Sequence, residues 1–474
     1  MITAYTGTAV RAAEQALFDV GAGGDLMARA AYGLANVVAQ RLSGVYGSTV
    51  TLLVGSGNNG GDALYAGAFL ARRGAAVTAV LCAEKAHLAG LSAFQAAGGR
   101  TMSLAKEFDH ARSFGLDADI LVDAILGTGA RGGLRGEVLR LAHSLNGRPG
   151  IVACDLPSGV NADTGESDGR VLRAEETVTF GRIKAGLLLP PSSDYVGKIS
   201  CIDLGLKLAA PELLQLEESD LAAYWPQPGA TDHKYSRGVL GVVAGSAKYP
   251  GAAQLAVGGA LAAGVGMLRY LGPAQMPAEV VTGAPTVAAN RVQAWLVGPG
   301  VADDPVQEQR SFEAISSGLP AVVDAGALAL LPGQIGPQLV VTPHAGELAA
   351  LLSRRGQGTV RADVEREPLR HARLAAELTG ATVLLKGSTT LVVSADEPVY
   401  SQSDGTAWLA TAGSGDTLAG ILGALLASGV RPALAAALAA SVHGRAGVLA
   451  SSSGPVTASR VAEAVPKVLA ELLT

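Results

Sequence analysis

Cysteine is scarce in this chain: Cys82, Cys154 and Cys201 are the three among 474 residues, and they stand far apart. That count and spacing exclude a disulfide framework and a CxxC metal knuckle, and they imply a reducing compartment. An excess of positive charge is missing as well. Lys and Arg number 36 against 41 Asp and Glu, giving −5 with no basic run, so no surface that tracks the phosphates of nucleic acid is expected. The opening residues, Met1 to Gln15, carry no basic stretch followed by an apolar one; the expectation is a cytoplasmic chain without a secretory signal. Unbroken apolar runs are lacking too. The longest candidate, Leu418 to Val442, is split by Arg431-Pro432 into pieces shorter than the ~20 residues that span a bilayer. Two buried helices and no membrane association follow. A Walker A loop is absent, since Gly197-Lys198 runs straight into Ile199 without a preceding glycine-rich turn. No internal repeat relates the halves, and no tract is of low complexity beyond alanine enrichment.

What is present is α/β punctuation. The length suggests two or three domains at about 150 residues each, and 62 glycines often fall where a β-branched apolar run gives way to a helical pattern. Strands are predicted at Thr49 to Val54, Ala76 to Leu81, Ile120 to Ile125, Ile151 to Cys154, Thr177 to Phe180 and Ile199 to Ile202, with helices such as Ala63 to Arg73 and Leu134 to Ser144 between them. Such alternation builds a doubly wound parallel sheet, here a Rossmann-like three-layer α/β/α domain. The leading Ala9 to Leu42 segment is helical in pattern, broken near Gly21 to Gly24, and is expected to pack on the sheet or at a subunit contact of a homo-oligomer. The strand rhythm stops between Gly205 and Gly238, where Glu217-Glu218-Ser219-Asp220 leads into Trp225-Pro226-Gln227-Pro228-Gly229. Domains over 1–212 and 222–474 follow. The second resumes with strands predicted at Val239 to Ala244, Trp295 to Val297, Ala321 to Val323, Leu339 to Val341, Thr382 to Leu385 and Leu391 to Val393.

Three loops of the first domain should converge, because ligands of open parallel sheets bind at the carboxyl ends of strands. One is Gly55-Ser56-Gly57-Asn58-Asn59-Gly60-Gly61-Asp62, which aims backbone N–H groups and a helix start at an anion. Its Gly-x-Gly-x-x-Gly spacing also fits an ordinary tight turn, but two asparagines and an aspartate exceed what a turn requires. The others are Asp123 followed by Gly127 to Gly133, and Asp155-Leu156-Pro157-Ser158. Asn59, Asp123 and Ser158 offer amide, carboxylate and hydroxyl oxygens suited to a hard cation; histidine and cysteine are missing, against zinc. Asp155 is left for acid/base work. Taken singly, Asp123 reads equally as a turn residue and Asp155 as a salt-bridge partner.

These motifs resemble the NAD(P)HX epimerase family, the YjeF N-terminal domain, over nearly the whole first half. The resemblance implies that Asn58, Asn59, Gly60, Gly61 and Asp62, with Gly127, Thr128, Gly129, Ala130, Arg131, Gly132 and Gly133, line a hydrated nicotinamide nucleotide that Asp155 touches. Potassium would sit on Asn59, Asp123 and Ser158. Ala63 stands where the family usually has glycine.

In the second half, Gly413-Ser414-Gly415-Asp416 precedes a strongly apolar helix. A helix start of this kind can stabilise a transferring phosphate through N–H groups while the carboxylate accepts a hydroxyl proton; a plain N-capping Asp explains the acid without the glycines. Lys386-Gly387-Ser388-Thr389-Thr390 lies between two strands, a phosphate contact or an ordinary hairpin. Thr342-Pro343-His344-Ala345-Gly346-Glu347 opens a helix, where His344 can donate to a substrate oxygen or serve only as a cap. With Val297-Gly298-Pro299-Gly300 and Asp324-Ala325-Gly326-Ala327, these resemble the ADP/ATP-dependent NAD(P)HX dehydratase family, the ribokinase-like YjeF C-terminal domain, from His233-Lys234 to near the C-terminus. By that resemblance Ala253, Gly300, His344 and Asp416 contact substrate, Lys386, Gly387, Ser388, Thr389, Thr390 and Gly415 contact ADP or ATP, and magnesium rides on the phosphates. The stretch after Pro250 is looser than the family's usual form, which bears on Ala253. The function implied is two-step repair: epimerisation of NADHX and NADPHX, then nucleotide-dependent dehydration of the S form. The rivals are a small-alcohol kinase sharing the Gly-Asp helix start, and a nucleotide-binding sensor or scaffold with an inert first domain.

Overall fold

The computed structural model describes residues 1–21, 25–130 and 132–473. Contacts divide the chain into one unit of Thr3–Glu212 and another of Leu213–Thr474 with Met1–Ile2.

The first unit is built on an all-parallel sheet in the order Arg100–Ser103, Ala76–Leu81, Thr49–Val54, Ile120–Ala124, Ile151–Cys154, Glu176–Phe180, Lys198–Ile202. Its inner strands are apolar at nearly every position because both faces are covered. Side chains alternate between two cores: Leu52, Val122 and Val152 join one with Leu34, Leu64 and Phe94, while Leu53, Leu121 and Ile151 join another with Leu141 and Leu145. A sheet with a separate core on each face is the three-layer arrangement expected. The chain leaves Thr49–Val54 toward one edge and returns on its other side at Ile120–Ala124, so the order reverses between these two strands. That reversal opens the crevice. Arg100–Ser103 is a strand the apolar pattern does not announce, since it is a polar edge. Helices Gly7–Asp19 and Leu26–Arg41 flank the predicted break, of which 22–24 lie outside the described residues. The third helix begins at Asn58, earlier than Ala63, so the asparagines and glycines of the loop form its first turn. Backbones approach closely there: a Cβ on Gly55 would lie 1.9 Å from the Ile125 carbonyl oxygen.

In the second unit the sheet runs Val281–Thr282, Met267–Tyr270, Val239–Val243, Ala294–Val297, Ala321–Val323, Leu339–Val341, Thr382–Leu385, Thr390–Val393, Val399–Gln402, Leu213–Gln215. Pairing is parallel as far as Thr382–Leu385, antiparallel across the next two steps, and parallel again at the last. The split apolar tract forms two helices, Ser414–Ala427 and Pro432–Ala450. The second is long and apolar enough to cross a membrane by composition, yet most of it is buried within the unit. Ser414–Ala427 lies directly on Pro250–Ala262 through small residues. A Cβ on Gly420 would fall 2.0 Å from the Ala256 carbonyl oxygen, whereas one on Gly258 would meet only Ala462 at 3.9 Å.

The two glycines should therefore answer oppositely to alanine. Gly420→Ala is expected to destabilise the unit by about 1–3 kcal/mol through overpacking, and Gly258→Ala to be neutral or stabilising by up to about 1 kcal/mol through helix propensity. The three tryptophans, Trp225, Trp295 and Trp408, all lie in this unit, so thermal unfolding followed by their fluorescence measures it alone.

Candidate functional site

At the crevice of the first unit, Asp123 ends its strand fully buried. Ser158 supplies two hydrogen bonds to it, from the hydroxyl to Oδ1 at 2.6 Å and from the backbone N–H to Oδ2 at 2.8 Å. Burial pushes the Asp123 carboxyl up to about 6, with the Ser158 and Ile125 hydrogen bonds opposing. The Leu126 N–H donates to Ser158 Oγ at 2.9 Å, and Asn59 Nδ2 donates to the Leu126 carbonyl at 2.9 Å. The other amide atom, Asn59 Oδ1, is buried with no hydrogen-bond partner. A buried acceptor in that state costs free energy unless a ligand satisfies it.

Asp155 follows the strand Ile151–Cys154 at φ 64°, a left-handed conformation for a residue with a side chain. Its Oδ2 accepts from the Thr128 hydroxyl, and its Oδ1 from Lys184 Nζ at 2.7 Å and Thr179 Oγ1 at 3.2 Å. Burial raises this carboxyl, but the Lys184 charge and the three hydrogen bonds outweigh it and hold Asp155 below its ordinary value. Asp62, buried in the third helix, is driven the other way. Burial, then the charges of Asp155 and Glu14, place its carboxyl well above the usual range. Gly127 packs on Asn59, the Ala130 N–H closes a turn onto the Gly127 carbonyl, and Gly133 lies under the Asp168 carboxylate. Asn58, Gly129 and Gly132 are exposed at the rim, and Gly60 and Gly61 are buried beneath it. Arg131 lies outside the described residues. The site residue that sequence reasoning missed is Lys184. Its signal was a single charge in the apolar tract Ile183-Lys184-Ala185-Gly186-Leu187.

In the second unit Gly413 caps the helix Ser414–Ala427 in a left-handed conformation, and Asp416 stands half-buried in the first turn. Burial pushes its carboxyl up to about 7; the charges of Asp324 and Glu347 add to this and Lys386 opposes it. Lys386 Nζ is paired with Asp324 Oδ1 at 2.9 Å and lies 3.8 Å from Glu347 Oε2. Asp324, itself buried, also accepts from Thr342 Oγ1 at 2.7 Å. A Cβ on Gly415 would sit 3.2 Å from that ammonium, so lysine and helix start face one another. Gly387 and Ser388 are exposed at the hairpin tip, between the buried Thr389 and the half-buried Lys386 and Thr390. His344 caps Ala345–Arg354: Nδ1 accepts from the N–H groups of Gly346 at 3.0 Å and Glu347 at 3.2 Å. An accepting Nδ1 in a neutral ring puts the proton on Nε2, which lies 3.6 Å from Glu347 Oε2. Gly300, at φ 65°, lies against Tyr249 and Ala252. Ala253 is wholly buried, its methyl packed against Gly245, and does not face solvent. Asp324 and Glu347 were visible only as members of motifs. Unforeseen altogether was His443, whose buried Nε2 lies 3.2 Å from Ser414 Oγ, with burial holding the ring down to about 4.

Among known proteins, the family described as NAD(P)H-hydrate dehydratase matches residues 240–467, and that described as YjeF-related protein N-terminus matches residues 23–186. The bifunctional NAD(P)H-hydrate repair enzyme of Mycobacterium leprae is 41% identical over 493 residues, covering 99% of each chain. Its counterpart from Escherichia coli is 32% identical, covering 85% of this chain and 81% of its own. A solved structure, the ADP/ATP-dependent NAD(P)H-hydrate dehydratase from Bacillus subtilis co-crystallised with ATP/Mg2+, is 25% identical, covers 54% of this chain and 97% of its own, and has a TM-score of 0.48. Matched by both family descriptions in chain order and along almost its whole length by a repair enzyme, the chain belongs to the family of bifunctional NAD(P)H-hydrate repair enzymes.

Proposed function

We infer that this chain restores hydrated NADH and NADPH in two steps, epimerising NAD(P)HX in the first unit and dehydrating the S form at the expense of ADP or ATP in the second. The observation that carries the reading is the bonding of Asp155 to Lys184, Thr128 and Thr179 in the first crevice, which holds it below its ordinary value while burial drives Asp62 above its own; in the second unit Lys386 faces the helix start that carries Asp416.

In NAD(P)HX the C6 hydroxyl stands next to the ring nitrogen. Asp62 donates a proton to that oxygen, the nitrogen lone pair breaks the C6–O bond, and water departs. Asp155 takes the proton of a water adding to either face of the resulting iminium, so one proton is delivered, one is taken up, and the configuration at C6 is scrambled. The orphaned Asn59 Oδ1, with the Asp123 and Ser158 oxygens, suits a potassium ion. Such an ion would supply positive charge to anchor the loop.

At the second site the C6 hydroxyl oxygen attacks the terminal phosphorus of the nucleotide while Asp416 accepts its proton, and the shorter nucleotide leaves. The nitrogen lone pair then expels phosphate, a far better leaving group than hydroxide, and loss of a C5 proton restores the dihydropyridine. Lys386 and the N–H groups of the Gly415 turn neutralise charge on the transferring group. Among the described residues no cluster of three or more His, Cys, Asp or Glu is arranged to hold a metal. Magnesium carried on phosphates needs only one or two protein carboxylates, and Asp324 and Glu347 stand beside Lys386. That ion, when bound, adds to the neutralisation of phosphoryl charge.

Asp416 must be ionised to act as base, so kcat/KM for dehydration should rise with pH through about 7 and level off above it. Asp416→Ala should lower dehydration by about 10²–10⁴-fold and leave epimerisation intact, while Asp155→Asn does the reverse. Return of NADH absorbance from separated epimers, with and without nucleotide, reads both, and equal loss of both activities in either variant refutes the division of labour. A kinase would instead accumulate a phosphorylated alcohol.

Potassium chloride, compared with choline chloride at equal ionic strength, should stabilise the first unit by about 1–3 kcal/mol at saturation, and Asn59→Ala should remove the difference. Far-ultraviolet circular dichroism registers that transition without a counterpart in tryptophan fluorescence, since the first unit has no tryptophan.

A further inference from the structure

Lys184 is wholly buried, and the structure spends every one of its protons. An ammonium has three N–H groups; those of Lys184 go to Asp155 Oδ1 at 2.7 Å, the Phe180 carbonyl at 2.8 Å and Thr179 Oγ1 at 3.1 Å. None remains for a substrate. Its backbone is fixed as well, because Ile183 and Lys184 pair in parallel with Ala4 and Tyr5, and the chain then turns through buried Ala185–Leu187. Asp155 meets it from a left-handed backbone, at φ 64°, that residues other than glycine adopt only under strain. Strain of that kind persists where surrounding contacts over-determine it, and the contacts here are Lys184, Thr128 and Thr179.

The remaining groups around Asp155 are mostly acidic. Asp62 comes from the helix Asn58–Arg72, Glu14 from Gly7–Asp19, Cys154 from its own strand and Cys201 from Lys198–Ile202. Arg11, beside Glu14, is committed to the Thr128 carbonyl. Without Lys184, a buried carboxyl among such neighbours would take up a proton, and the site would hold two acids and no base.

We propose that Lys184 is the positioning residue of the epimerisation site: its ammonium, bonded to Asp155, Thr179 and the Phe180 carbonyl, fixes the Asp155 carboxylate at the crevice without touching substrate itself. The proposal rests on the epimerase reading of this crevice and adds to it the group that separates the two acids into donor and acceptor.

The test uses the full-length protein without nucleotide, following one purified NADHX epimer as it relaxes to the mixture by chromatography across a range of pH. In Lys184→Met the acidic limb of kcat/KM should move up by about three pH units or more, to neutrality or above, and kcat at neutral pH should fall about tenfold or more with KM within about twofold. Lys184→Arg, which keeps the charge, should leave the limb nearer its wild-type position. Circular dichroism of the first unit reports whether each variant folds. If Lys184→Met does not, Thr179→Val removes one hydroxyl from the same group, and a smaller shift in the same direction is expected. An unmoved limb in whichever variant folds, or a loss confined to KM, overturns the proposal. A wild-type protein that does not epimerise, or a fully active Asp155→Asn, would remove the epimerase reading instead.

Discussion

Both candidate sites depend on where a lysine drawn out of bulk water places its charge. In the first unit Lys184 bonds directly to the acid at the crevice, and Asp155 is held ionised below its ordinary range. In the second, Lys386 bonds to Asp324, a neighbour of the acid, and Asp416 is left to rise to about 7. The ingredients are alike, a carboxyl taken out of water and a cation within reach, and the outcome turns on which carboxylate receives the hydrogen bond. Desolvation favours the neutral acid; a direct ion pair reverses that, while a cation already paired with another carboxylate only moderates it.

The loops that carry these groups were legible because their signals are local. Gly55 to Asp62 and Gly413 to Asp416 announce helix starts open to an anion within a few residues, and the β-branched runs before them mark strands without knowledge of any partner. Lys184 was not legible in that way. Its partner lies 29 residues upstream, and Asp324 lies 62 residues from Lys386, so each pair exists only after the sheet has brought strand ends together. Among the strands missed, Arg100–Ser103 and Val281–Thr282 are short edges and Leu213–Gln215 falls where the rhythm seemed to stop, while Ile2–Tyr5, Ile183–Lys184, Met267–Tyr270 and Val399–Gln402 are short segments in which polar residues interrupt the apolar run. His443 was hidden for another reason. It lies in a helix that is apolar around most of its circumference, and nothing in its immediate neighbours distinguishes it from core filling until Ser414 is found beside it.

Placement of Asp416 is a packing result as much as a loop result. Its helix lies on Pro250–Ala262 at a distance only glycine and alanine permit, with Gly259 against Thr417 and Gly420 against Ala256. The alanine-rich tract that resembles a membrane segment by composition is the consequence. Small side chains let helices approach until backbone meets backbone, and apolar ones fill what remains. A larger residue at either contact would push the helix start away from Lys386.

The different settings of the acids suit the different demands of the two steps. Epimerisation removes and restores the same hydroxyl, so it requires a proton donor and a proton acceptor present together, and a fixed ion pair can hold the acceptor ionised until the adding water gives up its proton. Dehydration first draws a proton from a hydroxyl and must later release it, and a carboxyl near neutrality does both with little cost in either direction. An Asp416 bonded directly to Lys386, as Asp155 is to Lys184, would be a weaker base for the C6 hydroxyl, and it would occupy the very ammonium that a transferring phosphate requires. Pairing Lys386 with Asp324 keeps that ammonium charged and in place while leaving Asp416 basic enough to act.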